Sequence, residues 1–175
     1  MTRKIYLGCI CLATVLLFST CDKLTRVNFE HKVNVYFDIN PVDPGTYTYA
    51  EVLVTNDLET ALEDYNASLD KLESMKINRF EMNIEFPPGV TFDPFDDLDA
   101  YIGSQSIGEG LIATIDPVPD GGQTTIAFDA ESLELVDFFK QPTFTLKIKG
   151  SNSGQTNGVT SFKATMWIEV EAQAL

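Results

Sequence analysis

The feature that most constrains the fold of this chain is a strict alternation of apolar and other side chains over several short segments. In the clearest segment, residues 80–86, every second side chain is apolar, and the same pattern recurs over 33–39, 144–148 and 162–170. Successive side chains of a β-strand point to opposite faces of the sheet, so this period of two predicts half-buried strands.

Turn-forming residues separate the alternating segments. Proline and glycine cluster at 87–89 and 116–122, and proline cannot donate to a β-ladder. A helical spacing of apolar residues is confined to 57–65, 67–75 and 130–140. Seven or eight short strands separated by such turns predict an all-β fold, an antiparallel β-sandwich that is immunoglobulin-like or similar and carries short helical insertions.

The inward faces of these strands predict one hydrophobic core. The chain shows no internal repeat and no low-complexity linker, so residues 27–175 are expected to form a single domain, long enough to bury a core. The side chains assigned to that core are Phe37, Met82, Ile84, Phe86, Leu146, Met166 and Ile168.

The first twenty residues have the layout of a secretory signal peptide. Two basic residues, at positions 3 and 4, precede an apolar run over 5–18. A membrane-spanning helix needs about 20 apolar residues, so this run is too short to be assigned as a membrane anchor. The sequence therefore predicts a signal peptide over 1–20, with Cys21 as the first residue of the mature chain.

The residues at the predicted cleavage point, Phe18-Ser19-Thr20-Cys21, resemble the lipobox of bacterial lipoproteins. Phe18 and Thr20 depart from the commonest pattern, which has Leu and then Gly or Ala. The resemblance implies that the Cys21 sulfur is diacylated, that cleavage occurs in front of it, and that the new amino group is acylated with a chain such as palmitate. Residues 21–26 would then be a lipidated tether, holding the domain at the cell envelope.

The rest of the chain resembles the small β-sandwich lipoproteins that are abundant in Bacteroidetes. This resemblance rests on Cys21 after the signal, on a helix-then-strand pattern over 69–86, and on a terminal hairpin over 144–170. It implies lipid anchoring, with the outer membrane as the expected site and the domain facing the periplasm or the exterior. It implies no particular activity.

The charge of the chain excludes one class of partner. The formal net charge is −14, and removal of Arg3 and Lys4 with the signal would bring it to −16. Such a chain repels phosphate backbones, so no nucleic-acid partner is expected, and membrane attachment is expected to depend on the lipid.

Catalytic chemistry has few candidate residues. His31 is the only histidine, no Gly-x-Ser-x-Gly motif is present, and one histidine with one lipidated cysteine cannot form a zinc site. His31 is interpreted as a solvent-facing residue at the start of the first strand. The sequence therefore predicts no enzyme and no cofactor, although the many carboxylates leave paired-acid hydrolysis untested.

The densest acidic segment offers a weak metal candidate. Calcium takes six to eight oxygen ligands, and four carboxylates crowd one short stretch, although their spacing does not match an EF-hand loop. The simpler alternative is a solvated acidic turn that protects a sheet edge. The four candidate ligands are Asp93, Asp96, Asp97 and Asp99.

Aromatic residues give the clearest candidate contact surface. Strand parity places Trp167 on the face opposite the core, and the same reasoning places Tyr36, Tyr47 and Tyr49 outside it. Tyr and Trp suit contact with sugar rings or proteins. Tyr36 and Trp167 would share one patch if the first and last strands are neighbours. The alternative is that these rings pack beneath the helices predicted over 57–75.

Two classes of function remain open at this point. The first is a non-catalytic binding or accessory module that contacts a glycan or another envelope protein. The second is a structural subunit or anchor of a surface fibre or envelope complex. An exposed Tyr/Trp patch favours binding, whereas an open groove awaiting a partner strand favours assembly.

Overall fold

A computed structural model of the protein describes residues 26–156 and 158–174. These residues form eight β-strands, two short α-helices and one turn of 3₁₀ helix at Leu69–Lys71. In chain order the strands and α-helices are β1 (Arg26–Ile39), β2 (Gly45–Thr55), α1 (Leu58–Glu63), β3 (Leu72–Phe86), β4 (Phe95–Ser104), β5 (Gly108–Ile115), β6 (Thr125–Ala130), α2 (Val136–Phe139), β7 (Thr143–Asn152) and β8 (Thr160–Gln173). No helix within the described ranges is long and apolar enough to cross a membrane.

The strands form one antiparallel sheet in the order β1-β8-β3-β6-β5-β4-β7-β2. The half containing β1 is joined to the half containing β2 through the pairing of β5 with β6, which involves Ala113 with Ala130 and Thr114 with Asp129. Consecutive strands alternate between the halves, except for the β4–β5 hairpin. This is the connectivity of a jelly roll.

The predicted all-β antiparallel fold with short helices is confirmed. Hydrogen bonding connects all eight strands into a single curled sheet, so the separation into two sheets that a sandwich requires is not confirmed.

Aromatic side chains fill the core between the two halves of the sheet. Phe162 of β8 has its ring centroid 5.7 Å from that of Phe37 on β1, 5.6 Å from Phe92 and 6.3 Å from Phe95 at the start of β4. Phe162 is 1% exposed. Because these rings belong to β1, β8, the β3–β4 connection and β4, one aromatic cluster packs the two halves together.

The helices are shorter than the spacing of apolar residues predicted. The helix expected over 67–75 is limited to one 3₁₀ turn, because the chain from Leu72 onwards pairs with β8 and buries Met75. A one-turn helix forms few hydrogen bonds, so pairing of this segment in a long β-ladder is more stable. The helix expected over 130–140 is reduced to Val136–Phe139.

Most of the predicted core is buried, and the exceptions lie at the end of β3. Phe37, Met82, Leu146, Met166 and Ile168 are at most 9% exposed, but Ile84 is only partly buried and Phe86 is 61% exposed. The register of β3 against β8 shifts between Ile84 and Phe86. A bulge inserts an extra residue and turns the following side chain to the other face, so the assignment of Phe86 to the core was wrong.

Two phenylalanines of β3 provide a matched test of this fold. Phe80 is fully buried and contacts Phe128 at 4.9 Å between centroids, so Phe80→Ala is expected to lower the free energy of unfolding by about 3–5 kcal/mol. Phe86→Ala is expected to cost about 0.5 kcal/mol or less, as at an exposed site. Urea unfolding of both variants checks this, and equal losses would contradict the bulge.

Candidate functional site

The predicted lipid anchor lies outside the described residues. This applies to Cys21, to the predicted signal peptide over 1–20, and to the predicted tether apart from Arg26, at which β1 begins.

Trp167 lies on the side of β8 that faces away from the core, as strand parity predicted. It pairs across the ladder with Lys32 of β1 on one side and Arg79 of β3 on the other. The Lys32 ammonium is 5.1 Å from the indole centroid and the Arg79 guanidinium 4.5 Å, both within cation–π range. The half-buried indole therefore lies between two cations of the neighbouring strands.

Two further cross-strand rows extend this arrangement along the sheet. Tyr36 is 64% exposed and pairs with Lys163, whose ammonium lies 5.9 Å from the tyrosine centroid. Strands β1 and β8 are neighbours, so Tyr36 and Trp167 share one side of the sheet, which was the condition for a common patch. We call this surface the aromatic face. Its three rows are Lys32–Trp167–Arg79, Asn34–Thr165–Glu81 and Tyr36–Lys163–Asn83, and Phe86 lies beyond them, opposite Ser161.

Hydrogen bonds and one ion pair order the polar members of the aromatic face. Thr165 donates to the Oδ1 atom of Asn34 at 3.1 Å, and Thr125 of β6 donates to the Oδ1 atom of Asn83 at 2.6 Å. Arg79 Nε donates to a Glu81 carboxylate oxygen at 2.8 Å. The indole is thus held among side chains with defined partners.

Phe86 also lies on this side of the sheet, although the sequence pattern did not predict it there. Its apolar character and its place in an alternating segment both pointed to the core. The adjacent Pro87-Pro88-Gly89 marks the end of the strand, and irregular pairing is common near such an end, so this was the available signal.

Tyr47 and Tyr49 do not belong to the aromatic face. Both are on β2, in the other half of the sheet, and Tyr49 is 8% exposed. Its hydroxyl donates to Asn152 at 2.8 Å, and burial raises the pKa of the phenol. The register of β2 shifts between Thr48 and Ala50, and this bulge places Tyr47 and Tyr49 on the same side as the inward residues that follow. Their predicted outward orientation was wrong.

The four aspartates proposed for calcium each have a different partner. Asp93 accepts from the backbone N–H groups of Gly121 and Gly122 at 3.2 and 2.9 Å, which lowers its pKa.

The other three accept from separate hydroxyl groups. Ser153 donates to Asp96 at 2.6 Å, Ser151 donates to Asp97, and Thr114 donates to Asp99 at 2.6 Å. Within residues 26–156 and 158–174 no three His, Cys, Asp or Glu side chains are grouped so that they could hold a metal ion. The structure therefore does not assemble the weak calcium candidate.

His31 faces the core instead of solvent. It is 8% exposed and meets Phe139 edge to face at 6.3 Å between ring centroids. Its Nε2 atom is 3.1 Å from Asp57, without the alignment of a hydrogen bond. The charged neighbours Glu30 and Lys32 suggested an exposed site, but the period of two along β1 points His31 inward.

The outward side of the other half of the sheet carries two lysines that are neutralised locally. Lys149 lies 4.3 Å from the centroid of Tyr101 and pairs with Glu109 at 2.8 Å. Lys147 also pairs with Glu109, and with Glu51 at 3.2 Å. The hydrogen bonds from the two lysines lower the pKa of Glu109 to about 2. Here every cation has a carboxylate partner.

Two small concavities lie on the surface of the described residues. One of about 210 Å³ lies at an end of the sheet, between Ile39, Phe95, Phe162 and the loops that surround them. The other, of about 220 Å³, lies beside the aromatic face among Asn28, Ser74, Lys76, Glu169 and Glu171. Both are below the about 300–1,000 Å³ of typical small-molecule pockets, so an extended surface is the better candidate site.

Fold and site together define an all-β antiparallel protein with an exposed aromatic sheet face. No protein-family model matches the chain, and no curated protein matches it. Among solved structures it is similar to one titled Desmodium yellow mottle tymovirus, with a TM-score of 0.29 and 10% sequence identity over 83% of this chain and 90% of that chain. A similarity of that level carries no argument about function.

The Glu109 ion pairs predict a pH dependence of stability. The pKa of Glu109 falls from 4.5 to about 2 on folding, so its contribution is complete above the unfolded value and is lost as pH falls towards 2. Glu109→Gln is expected to lower the free energy of unfolding at pH 6, with the difference from wild type vanishing towards pH 2. Urea unfolding across this range tests it, and a difference independent of pH would contradict the ion-pair assignment.

Proposed function

We propose that this protein is a non-catalytic, lipid-anchored protein of the cell envelope, in the outer membrane, that binds a glycan or another envelope protein through the aromatic face. The observation that carries the proposal is the placement of Trp167. It lies on the outward side of β8 between cations of the neighbouring strands and shares that side with the exposed ring of Tyr36.

The rigidity of the aromatic face supports a role in binding. Strand β8 is hydrogen-bonded along almost its whole length to β1 and β3, so the backbone beneath Trp167 is fixed on both sides. Aromatic side chains bring a large contact area at a small loss of conformational freedom. A partner would therefore meet a surface that is already ordered.

The positions of the catalytic candidates also favour binding over catalysis. His31, the only histidine of the chain, points into the core beside Phe139, on the side of β1 opposite to the aromatic face. A general base must reach the proton that it abstracts, and His31 is not presented to a ligand on this face.

The alternative function, a structural subunit of a fibre or envelope complex, keeps one observation in its favour. Among the described strands, β1 and β2 are the edges of the sheet, each with one hydrogen-bonded neighbour, and edges of this kind can accept a strand from another chain. Light scattering of the detergent-solubilised protein tests this alternative, because a subunit of this kind would form stable oligomers and a binding module need not.

Trp167→Ala is expected to weaken partner binding by about 1 kcal/mol or more, which is about fivefold in affinity, with a modest loss of stability. Glycan-array and envelope-extract binding of the full chain measure the first effect and urea unfolding the second. Tyr101→Ala, an aromatic truncation on the other half of the sheet, is the matched control. A loss of several kcal/mol in stability with unchanged binding would show that Trp167 is structural.

Cys21→Ser is expected to release the protein from membranes or to block its processing, because a serine cannot form the thioether that holds the diacylglycerol. Membrane fractionation of cells expressing each form measures the attachment. Intact-mass measurement of the wild-type mature chain is the second readout, and an unacylated mature chain would refute the anchor.

A further inference from the structure

We infer that the ligand of the aromatic face is an anionic polysaccharide, with carboxylate or sulfate groups on its sugar rings. This inference rests on the proposed function, in that it names the ligand class for the same face. It is carried by the unpaired lysines of the three rows, by their amide groups and by their layout along the sheet.

The charge of the three rows is opposite to that of the whole chain. They contain Lys32, Arg79 and Lys163 against one carboxylate, Glu81, which is already paired with Arg79. The chain as a whole has a formal net charge of −14. Within the described residues, no carboxylate lies within 4.0 Å of the ammonium group of Lys32 or Lys163. The adjoining rows on the same side of the sheet are Glu30–Glu169–Lys76 and Asp38–Ser161–Phe86, so three further carboxylates and one further lysine flank the three rows. The three rows themselves therefore present two lysine charges that have no carboxylate partner of their own.

The other half of the sheet shows what the chain does with a lysine whose charge is satisfied internally. Lys149 packs against Tyr101 much as Lys163 packs against Tyr36, but Lys149 also pairs with Glu109 at 2.8 Å. The same aromatic–lysine pair thus occurs twice, once with a carboxylate and once without. An anionic ligand would supply the missing carboxylate on the aromatic face.

The amide groups of the three rows suit a hydroxylated ligand. The Oδ1 atoms of Asn34 and Asn83 accept from Thr165 and Thr125, which fixes the orientation of both amides. Within the described residues neither Nδ2 group has an acceptor, so both can donate to sugar hydroxyl groups. A sugar ring would stack its C–H side on an aromatic ring and direct its hydroxyl groups to these amides.

The layout of the three rows suits an extended ligand. Alternate residues of a strand are about 6.7 Å apart and neighbouring strands about 4.8 Å, so the rows span about 13 Å by 10 Å. An extended polysaccharide can contact both lysine–aromatic pairs, which lie at opposite ends of this strip.

The test uses the full-length protein in detergent micelles and four anionic polysaccharides: polygalacturonate, alginate, chondroitin sulfate and heparin. Each is compared with its neutral form, made by carboxyl reduction of the first two and by desulfation, N-acetylation of free amines and carboxyl reduction of the last two. Trp167 is the only tryptophan, so its fluorescence reports ligand arrival at this face. At least one anionic polymer is expected to bind at least tenfold more tightly than its neutral form, and this preference should fall as salt is raised.

Variants identify the side chains that bind the anionic groups of the polysaccharide. Lys32→Ala with Lys163→Ala is expected to remove at least tenfold of the affinity for the anionic polymer, measured by calorimetry, while Lys149→Ala leaves it unchanged. Circular dichroism and urea unfolding confirm that each variant is folded. An unchanged affinity of the double variant would overturn the inference.

The remaining outcomes separate the inference from the proposed function. Equal binding of neutral and anionic polymers at Trp167 would overturn the anionic class and leave the binding face intact. Binding of polyglutamate but of none of the eight polysaccharides would overturn the inference in favour of an acidic protein. Binding of none of these probes would overturn the inference, and the envelope-extract experiment would then decide the proposed function by itself.

Discussion

The pleat of β8 is the constraint on which both the core and the aromatic face depend. Its inward side chains from Phe162 to Ala172 are at most 1% exposed, while Lys163 and Trp167 point to the opposite side. A shift of one residue in register would exchange the two faces of a strand. Because ladders with β1 and β3 hold β8 from both sides, the packing that stabilises the core also fixes the positions of the side chains offered to a ligand.

The strands and their faces could be predicted wherever the alternation is regular. Residues 162–170 give both the buried side chains and the outward position of Trp167, because the β1–β8 ladder has no register shift and the shift opposite Ile168 and Trp167 lies in β3. The order of the strands could not be predicted in the same way. Pairing of β1 with β8 joins residues more than a hundred positions apart, and nothing local in either strand specifies its partner. The three rows become visible only once that register is known.

The incorrect placements of Tyr49 and Phe86 share a physical cause. Tyr49 is next to the register shift of β2 and Phe86 next to that of β3, and each bulge exchanges the faces without changing the local composition. The pattern of apolar residues does not indicate on which side of the sheet Tyr49 lies. Tyrosine is stable both in the core and at the surface when its hydroxyl has a hydrogen-bond partner. His31 shows the reverse case. The alternation along β1 correctly indicates an inward side chain at this position, but His31 was interpreted as solvent-facing because it is polar.

The distribution of carboxylates decides what each face of this acidic protein can attract. On the half containing β7, Glu109 and Glu51 neutralise Lys147 and Lys149, so that surface has no cation left for an external anion. At physiological ionic strength the screening length is about 8 Å, shorter than the about 13 Å strip of the three rows. The carboxylates of Glu30, Glu169 and Asp38 lie one row away, about 6.7 Å along the strands, and are only partly screened, whereas carboxylates farther away are largely screened. A ligand on the strip therefore responds mainly to the charges that it contacts, Lys32 and Lys163. A strongly negative net charge and a local preference for anions are thus compatible, because the first acts weakly over distance and the second acts at contact.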